Sequence, residues 1–568
     1  MVLLAHFLRS FAAITTVGLL QIPSSVPLNF SNPLAYDPLV CPPTQPNLTN
    51  GQKIPPRRPR PLCRTFNSTY LEAVLKEIKP RFQNSDLATL FENALTLTLD
   101  TTIRWYDPQV PLTFPTTGQF PHGWLRNATH QLNVYLPFMH HDSELQKLAL
   151  GFINFLSGYI TNCYKELDFY QLDERFAQSI PFSKSVISCD LPLADTAEFL
   201  SISMSYYQST GDSKFMTQNW IDVVERILSS YQGLGRQFIS NLNFSDPLIS
   251  ITFPKNETVH HGLLMDAINE FGDKVSSRAN VPINCLIATQ TQRAALFLKD
   301  VANNTNLASK ASQISQQIRQ AVEKQAVVKH PVWGLVYAYE VDPYGSRAIM
   351  DDARVPSLLS LPYFGYTGLA NPIYLTTRKM ILSPKGNPYL FHGQQAAGIG
   401  SPSTVIPQIW PMSLVSKLMS SESDYEIRDA LNTLLITAEG HGYISQTFNA
   451  HRKNDYTKPY YAWANSYFAE AILYLAEKKP HLIFSDGRPY QVSIRGNLAN
   501  YGALGQQSPN VVHAIMTNYN RPHTRLIYVA GLLVLILLSW VFGVKSFWRK
   551  LKGPKNKDRP YMLLKHGD

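Results

Sequence analysis

The side chains able to do chemistry in this 568-residue chain gather in a few short segments. Gln119-Phe-Pro-His-Gly-Trp124-Leu-Arg126-Asn127-Ala-Thr-His-Gln131 sets an indole, a guanidinium and three amides in one stretch. Tyr337-Ala-Tyr-Glu340-Val-Asp342 precedes Met350-Asp351-Asp352-Ala-Arg-Val-Pro356-Ser-Leu-Leu-Ser-Leu-Pro-Tyr363. Then come Gly398-Ile-Gly-Ser-Pro402, Gly442-Tyr443-Ile-Ser-Gln446-Thr-Phe448 and Lys458-Pro-Tyr-Tyr-Ala-Trp463-Ala-Asn465. Aromatic rings interleaved with amides and acids suit sugars, because C–H faces pack on π-systems while amides and acids bond hydroxyls. Metal chemistry has no comparable support. No CxxC or zinc-spaced histidine cluster occurs, and the doublets His140-His141 and His260-His261 do not aim at one ligand position.

Elements must carry these segments. Apolar residues recur at three and four in Leu71–Leu75, Leu87–Leu99, Leu145–Ile160, Phe199–Tyr207, Trp220–Leu234, Ala288–Leu298, Ile314–Val322, Val405–Met419, Ile427–Ile436 and Ala462–Leu475. Two shorter candidates, near Pro356 and Tyr374, bring the expectation to about twelve helices. Helices alternating with aromatic-rich loops predict an all-α fold, an (α/α)6 barrel with its loops around one cleft.

Charge separates the body from its ends. Lys+Arg 51 against Asp+Glu 41 gives +10. The Pro-rich stretch Cys41–Cys63 holds Lys53, Arg57, Arg58 and Arg60 without an acid, and the residues from Lys545 on hold eight basic against two acidic. Setting both aside leaves 39 residues of each sign, so a nucleic-acid partner is not expected. Residues 1–25 read as a signal peptide or signal anchor. Leu526–Val544, about 28 Å as a helix, reads as a membrane span, and its basic flank puts 545–568 in the cytosol. Between them are expected a Pro-rich stem or wrapping arm (26–69), the helical domain (70–483) and a juxtamembrane spacer (484–525). The expected body is lumenal or extracellular. Seven sequons (Asn29, Asn47, Asn67, Asn127, Asn243, Asn256, Asn303) agree with it. Sequence-near pairings of the five cysteines would be Cys41–Cys63 and Cys163–Cys189, leaving Cys285 free.

On these motifs the chain resembles glycoside hydrolase family 125, the exo-α-1,6-mannosidases, from about Leu71 to Leu475. The half from Val332 onward matches closely, whereas Asn162–Ile283 matches poorly. The resemblance implies an (α/α)6 barrel and metal-independent, cofactor-free, inverting removal of terminal mannose from glycans. Inversion needs an acid at the leaving oxygen and a base activating water across the bond. The family's acid aligns nearest to Asp195, one residue out of register, with Asp190 as fallback; an N-cap role also suits Asp195. Its base is a Glu where this chain has Gln446, and an amide cannot accept water's proton. Trp124, Arg126, Asn127, Asp351, Asp352, Tyr443, Trp463 and Asn465 fall on its sugar contacts, though an Asp of the family is Asn127 here.

Two functions follow. One is a working α-mannosidase-like hydrolase with a relocated base, for which Glu439, Asp351 and Asp352 are candidates. The other is a catalytically inactive glycan-binding protein on the same scaffold. An inert structural ectodomain is a third.

Overall fold

The computed structural model describes residues 51–117, 125–164, 192–237, 262–265, 278–342 and 345–490. Among them are twelve α-helices: α1 Thr69–Ile78, α2 Ser85–Leu97, α3 Leu125–Asn133, α4 Ser143–Tyr164, α5 Leu193–Thr210, α6 Gln218–Gln237, α7 Val281–Asp300, α8 Thr305–Ala321, α9 Pro372–Ile381, α10 Pro411–Met419, α11 Asp424–Ala438 and α12 Ala462–Lys478. Side-chain caps fix many of their starts. Ser68, Asn84, Asn280, Asn304, Asn371 and Ser423 each accept from a backbone N–H of the first turn. Gly211, at φ +72°, ends α5 in the left-handed conformation that glycine adopts without a Cβ penalty.

Burial sorts the helices into two layers. Helices α3, α5, α7, α10 and α12 are buried around most of their circumference, as inner helices must be. They pack in the run α7–α5–α3–α12–α10. The others lie against them: α2, itself mostly buried, on α12 and α11, α4 on α5 and α6, α8 on α6 and α7. The segment 353–367 fills the remaining inner position as buried turns, not the helix expected near Pro356. Pro356, Pro362 and Gly365 (φ +82°) break any helical run there. Tyr374 on α9 donates to the Leu359 carbonyl at 2.9 Å, and Tyr363 reaches Glu470 on α12 at 2.7 Å.

Helix α3 was not among the expected helices. Its buried residues include Arg126, Asn127, Thr129, His130 and Gln131, which hide the short apolar period of Leu125, Ala128 and Leu132. The expected helix over Val405–Met419 forms only from Pro411.

The loops are more ordered than an all-α reading implies. They contain twelve short strands: β1 Ile103–Asp107, β2 Leu112–Pro115, β3 Ala279–Asn280, β4 Val327–His330, β5 Gly334–Tyr337, β6 Glu340–Val341, β7 Arg347–Ala348, β8 Leu390–His392, β9 Ala397–Ile399, β10 Gln408–Ile409, β11 Phe448–Asn449 and β12 Arg452–Tyr456. They pair antiparallel in five small sheets; in one, Ile409 faces Phe448 and Phe448 faces Tyr456. Gly400 is required beside it, because a Cβ there would lie 2.5 Å from the Gln408 carbonyl oxygen.

The Pro-rich region, from residue 51 on, is a wrapping arm bound to the body. Ile54 is fully buried, and the Lys53 and Ile54 N–H groups donate to Asp86. Arg57 donates to the carbonyls of Gly440 and His441. Arg58 forms a fork on Asp100, at 2.8 and 3.1 Å, and also bonds Glu72. Three of the arm's four cations, Lys53, Arg57 and Arg58, are thus engaged on the body. At the other end, residues to Tyr490 stay with the body: Arg81 pairs with Asp486, and the Tyr490 N–H donates to Ala476.

Cys63 is disulfide-bonded, and Cys285 is free and buried. Cys41, Cys189, the 1–25 segment and the 526–544 run lie outside the described residues, as does the whole second unit, Gln506–Asp568. No helix among the described residues is long and apolar enough to cross a membrane.

Replacing Arg58 by Ala strips the buried Asp100 carboxylate of its main partner. We expect a loss of about 3 kcal/mol, read as a lowered thermal midpoint, because a buried charge is left poorly compensated.

Candidate active site

Four inner helices begin at one mouth of the helical body, and each brings a functional side chain there. The first turn of α3 carries Arg126 and Asn127, that of α5 carries Asp195, and α12 opens with Trp463; Trp410 immediately precedes α10. Asp195 is not the helix N-cap, which is Pro192 and makes no side-chain cap. Its carboxylate turns instead toward α3, where Oδ1 lies 3.9 Å from Arg126 Nε. With its side chain 15% exposed, it is the acid at this mouth that keeps contact with solvent. Burial pushes its carboxyl up to about 6, Arg126 opposes the rise, and Glu198 adds to it.

Aromatic surfaces frame the acid. The Arg126 guanidinium carbon lies 5.5 Å from the Trp463 ring centroid, and His130 stacks on that indole at 4.6 Å and 11°. Arg354 sits 5.7 Å from the Trp410 ring. Asp352 grips Arg354 bidentately, at 3.0 and 2.7 Å, while Ser401 donates to the same carboxylate at 2.9 Å.

Several expected sugar contacts are instead used inside the protein. Asn127 donates to the Tyr461 hydroxyl at 3.0 Å and accepts from Gln131 at 2.7 Å. Asn465 accepts from the Ile444 N–H and donates to the Ile444 carbonyl, clamping the 442–448 loop to the start of α12. Asp351 spends one oxygen each on the N–H groups of Leu358 (2.8 Å) and Leu359 (3.0 Å), capping the buried turns. Asp351 and Asp352 are both buried, and every one of their carboxylate oxygens already accepts a hydrogen bond. Tyr443 donates to the Arg57 carbonyl of the arm at 3.2 Å. Trp124 lies outside the described residues.

The base side is neutral. Gln446 sits in the loop that Asn465 clamps, its amide oxygen accepting from Thr457 at 3.2 Å. Glu439, the expected relocated base, is held elsewhere: one oxygen takes Lys53 at 3.1 Å, the other Lys453. Burial works to raise its carboxyl, but the two lysines outweigh burial and hold it below the ordinary range. A carboxylate so paired is a poor acceptor for a water proton.

Sequence reasoning missed two buried acids. Glu198 pairs with His130 Nε2 at 3.1 Å, and Glu470 accepts from Tyr363 at 2.7 Å. Burial pushes Glu470 up to about 8, with Glu198 adding to the rise against the Tyr363 bond. The available signal was an acid inside otherwise apolar or small helical runs, Ala197-Glu198-Phe199 and Ala469-Glu470-Ala471. Among the described residues no group of three or more His, Cys, Asp or Glu could hold a metal ion.

The family model of metal-independent α-mannosidases, GH125, matches residues 84–473. The chain belongs to glycoside hydrolase family 125. This GH125 chain is 34% identical over 466 residues to the "Meiotically up-regulated gene 157 protein" of Schizosaccharomyces pombe, across 77% of this chain and 91% of that one. Its fold is that of a metal-independent α-mannosidase from Streptococcus pneumoniae, solved in a non-productive complex with α-1,6-mannobiose. The TM-score is 0.63 at 22% identity, over 72% of this chain and 98% of the other. The helix-rich body of the GH125 chain thus fits the (α/α)6 glycosidase architecture expected from its sequence.

Asn127 heads a sequon yet is 1% exposed, with both amide atoms bonded. Glycopeptide mass spectrometry is expected to find Asn127 unmodified, whereas the exposed Asn67 and Asn303 are open to a glycan.

Proposed function

We propose that this chain is an exo-acting α-mannosidase of glycans that inverts configuration, with Asp195 as its acid. The observation carrying the proposal is a part-exposed carboxyl raised to about 6, facing Arg126 beside Trp463 at the mouth of the inner helices. A carboxyl in that range is protonated often enough to donate, yet acidic enough to give its proton up. Arg126 and Arg354 carry donors suited to sugar hydroxyls, and the buried Trp463 indole, stacked by His130, backs Arg126.

In the proposed reaction Asp195 protonates the glycosidic oxygen as the bond to the anomeric carbon breaks. Water attacks from the opposite face, and its proton leaves to solvent, since Gln446 can orient the water but not deprotonate it. General-base catalysis is worth about 10²–10⁴-fold. The wild-type chain is therefore a slow hydrolase. The neutral amide at 446, with Glu439 committed to two lysines, also supports a second reading, a mannose-glycan-binding protein without turnover.

Release of mannose from α-1,6-mannobiose separates the two. We expect slow release by the wild type and none by Asp195→Asn. Gln446→Glu should be about 10²–10⁴-fold faster. Binding without any release by the wild type would favour the second reading. Because the acid must be protonated, the rate is expected to fall as pH rises through about 6.

The same proposal puts the body in the secretory lumen or outside the cell, anchored by Leu526–Val544 with residues 545–568 in the cytosol. Support comes from that uninterrupted apolar run and its basic flank. In sealed microsomes, protease is expected to remove only the C-terminal tail; digestion of the body would overturn the assignment.

A further inference from the structure

Helices α3 and α5 are joined by two rungs. Arg126 and His130 lie four residues apart on one face of α3; Asp195 and Glu198 lie three apart on one face of α5. The outer rung joins Arg126 to Asp195 at 3.9 Å, and the inner rung joins His130 to Glu198 at 3.1 Å. Asp195 is 15% exposed at its side chain, while His130 and Glu198 are each 3% exposed.

The inner rung has no task in the reaction proposed above. It is nonetheless surrounded by the site. His130 lies flat on Trp463, whose ring also meets Arg126. Its Nδ1 is buried without a hydrogen-bond partner among the described residues, so Glu198 alone orients the imidazole by hydrogen bonding. Glu198 in turn faces Asp195 on its own helix and Glu470 from α12, and Glu470 is held by Tyr363 from the turn segment. Asp195 meets Arg126 and His130 from α3 and Glu198 from below. Beyond Arg126 lie Asp352 and Arg354.

We propose that the buried His130–Glu198 pair is the positioning device for Asp195. It fixes α5 against α3 one turn below the acid, and it presents a like charge to the acid from the protein side. The like charge disfavours ionisation of Asp195, while the stacked imidazole fixes the height of Trp463 beside it. Neither residue touches the sugar; both act through Asp195 and Trp463. The proposal rests on the assignment of Asp195 to the sugar site.

The test reads binding rather than turnover, so it holds whichever way the base question falls. Affinity of the purified full-length protein for α-1,6-mannobiose is measured by calorimetry from pH 4 to pH 8, and the pH midpoint is compared among variants. Glu198→Gln keeps the shape and the acceptor for His130 but removes the charge; its midpoint is expected ~1 unit lower than the wild type's. An unchanged midpoint in folded Glu198→Gln overturns the proposal.

His130→Gln, which retains a donor toward Glu198 but gives up the ring stacked on Trp463, is expected to bind somewhat more weakly than the wild type. His130→Leu, which does not, should bind roughly tenfold more weakly. If Glu198→Gln does not fold, this contrast decides: equal affinities for the two His130 variants overturn the pair's role. An Asp195→Asn protein that keeps the wild-type pH dependence sinks the assignment of the site itself, and the proposal with it.

Discussion

A helix enclosed on every side must find partners for most of its polar residues, because each unmet polar group in the interior costs about 1–3 kcal/mol. Helix α3 meets that demand at Asn127 and Gln131 and at one nitrogen of His130, while Thr129 Oγ1, His130 Nδ1 and Asn133 Oδ1 have no hydrogen-bond partner among the described residues; the site depends on the bonds that are made. Asn127 meets Tyr461 and Gln131, Gln131 meets Thr98 and Thr102, and His130 meets Glu198. Apart from the Asn127–Gln131 bond within α3, these bonds fix the helix against three neighbours: the turn after α2, the start of α12, and α5. Arg126 stands at one end of this lattice, beside Asp195. The polar side chains that read in sequence as sugar contacts are largely bonded inside the protein.

The fold was legible where packing follows period. Apolar spacing located α2, α4, α6, α8, α11 and α12, because an amphipathic or apolar helix writes its burial into the sequence. It failed at α3, where polar partners replace apolar packing, and at Pro356, where apolar residues are buried in turns held by Asp351. The motif resemblance pointed to a candidate site, with Arg126, Trp463 and Gln446 in segments shared with the family and Asp195 one residue out of register in a stretch that matches poorly. It did not distinguish residues that face a ligand from residues that hold the loop. Asn465 and Asp351 are invariably paired with backbone groups here, a use that spacing alone does not reveal. Glu198 and Glu470 showed only as acids within apolar or small runs, because their partners are far away in sequence.

The charge pattern took on a different meaning once the arm was seen in place. Four positive charges in a Pro-rich stretch look like an unattached basic segment. Three of them are spent on the body: Lys53 on Glu439, Arg57 on two carbonyls, and Arg58 on Asp100 and Glu72. The arm also abuts Gly442, where any Cβ would lie 2.6 Å from the Pro55 carbonyl oxygen. The loop that carries Gln446 therefore rests on the arm as well as on α12.

That arrangement has a temporal side. The arm is made early, but its partners near residues 439–443 come 386 residues later in the case of Lys53 and Glu439. At ribosomal rates of about 5–20 residues per second, the gap is roughly 20–80 s. Throughout that interval Lys53 and Arg57 lack their final partners, whereas those of Arg58, Glu72 and Asp100, are made within 42 residues. The arm therefore closes on the 439–443 stretch only late in synthesis, and the loop that carries Gln446 is set between this early arm and the still later α12.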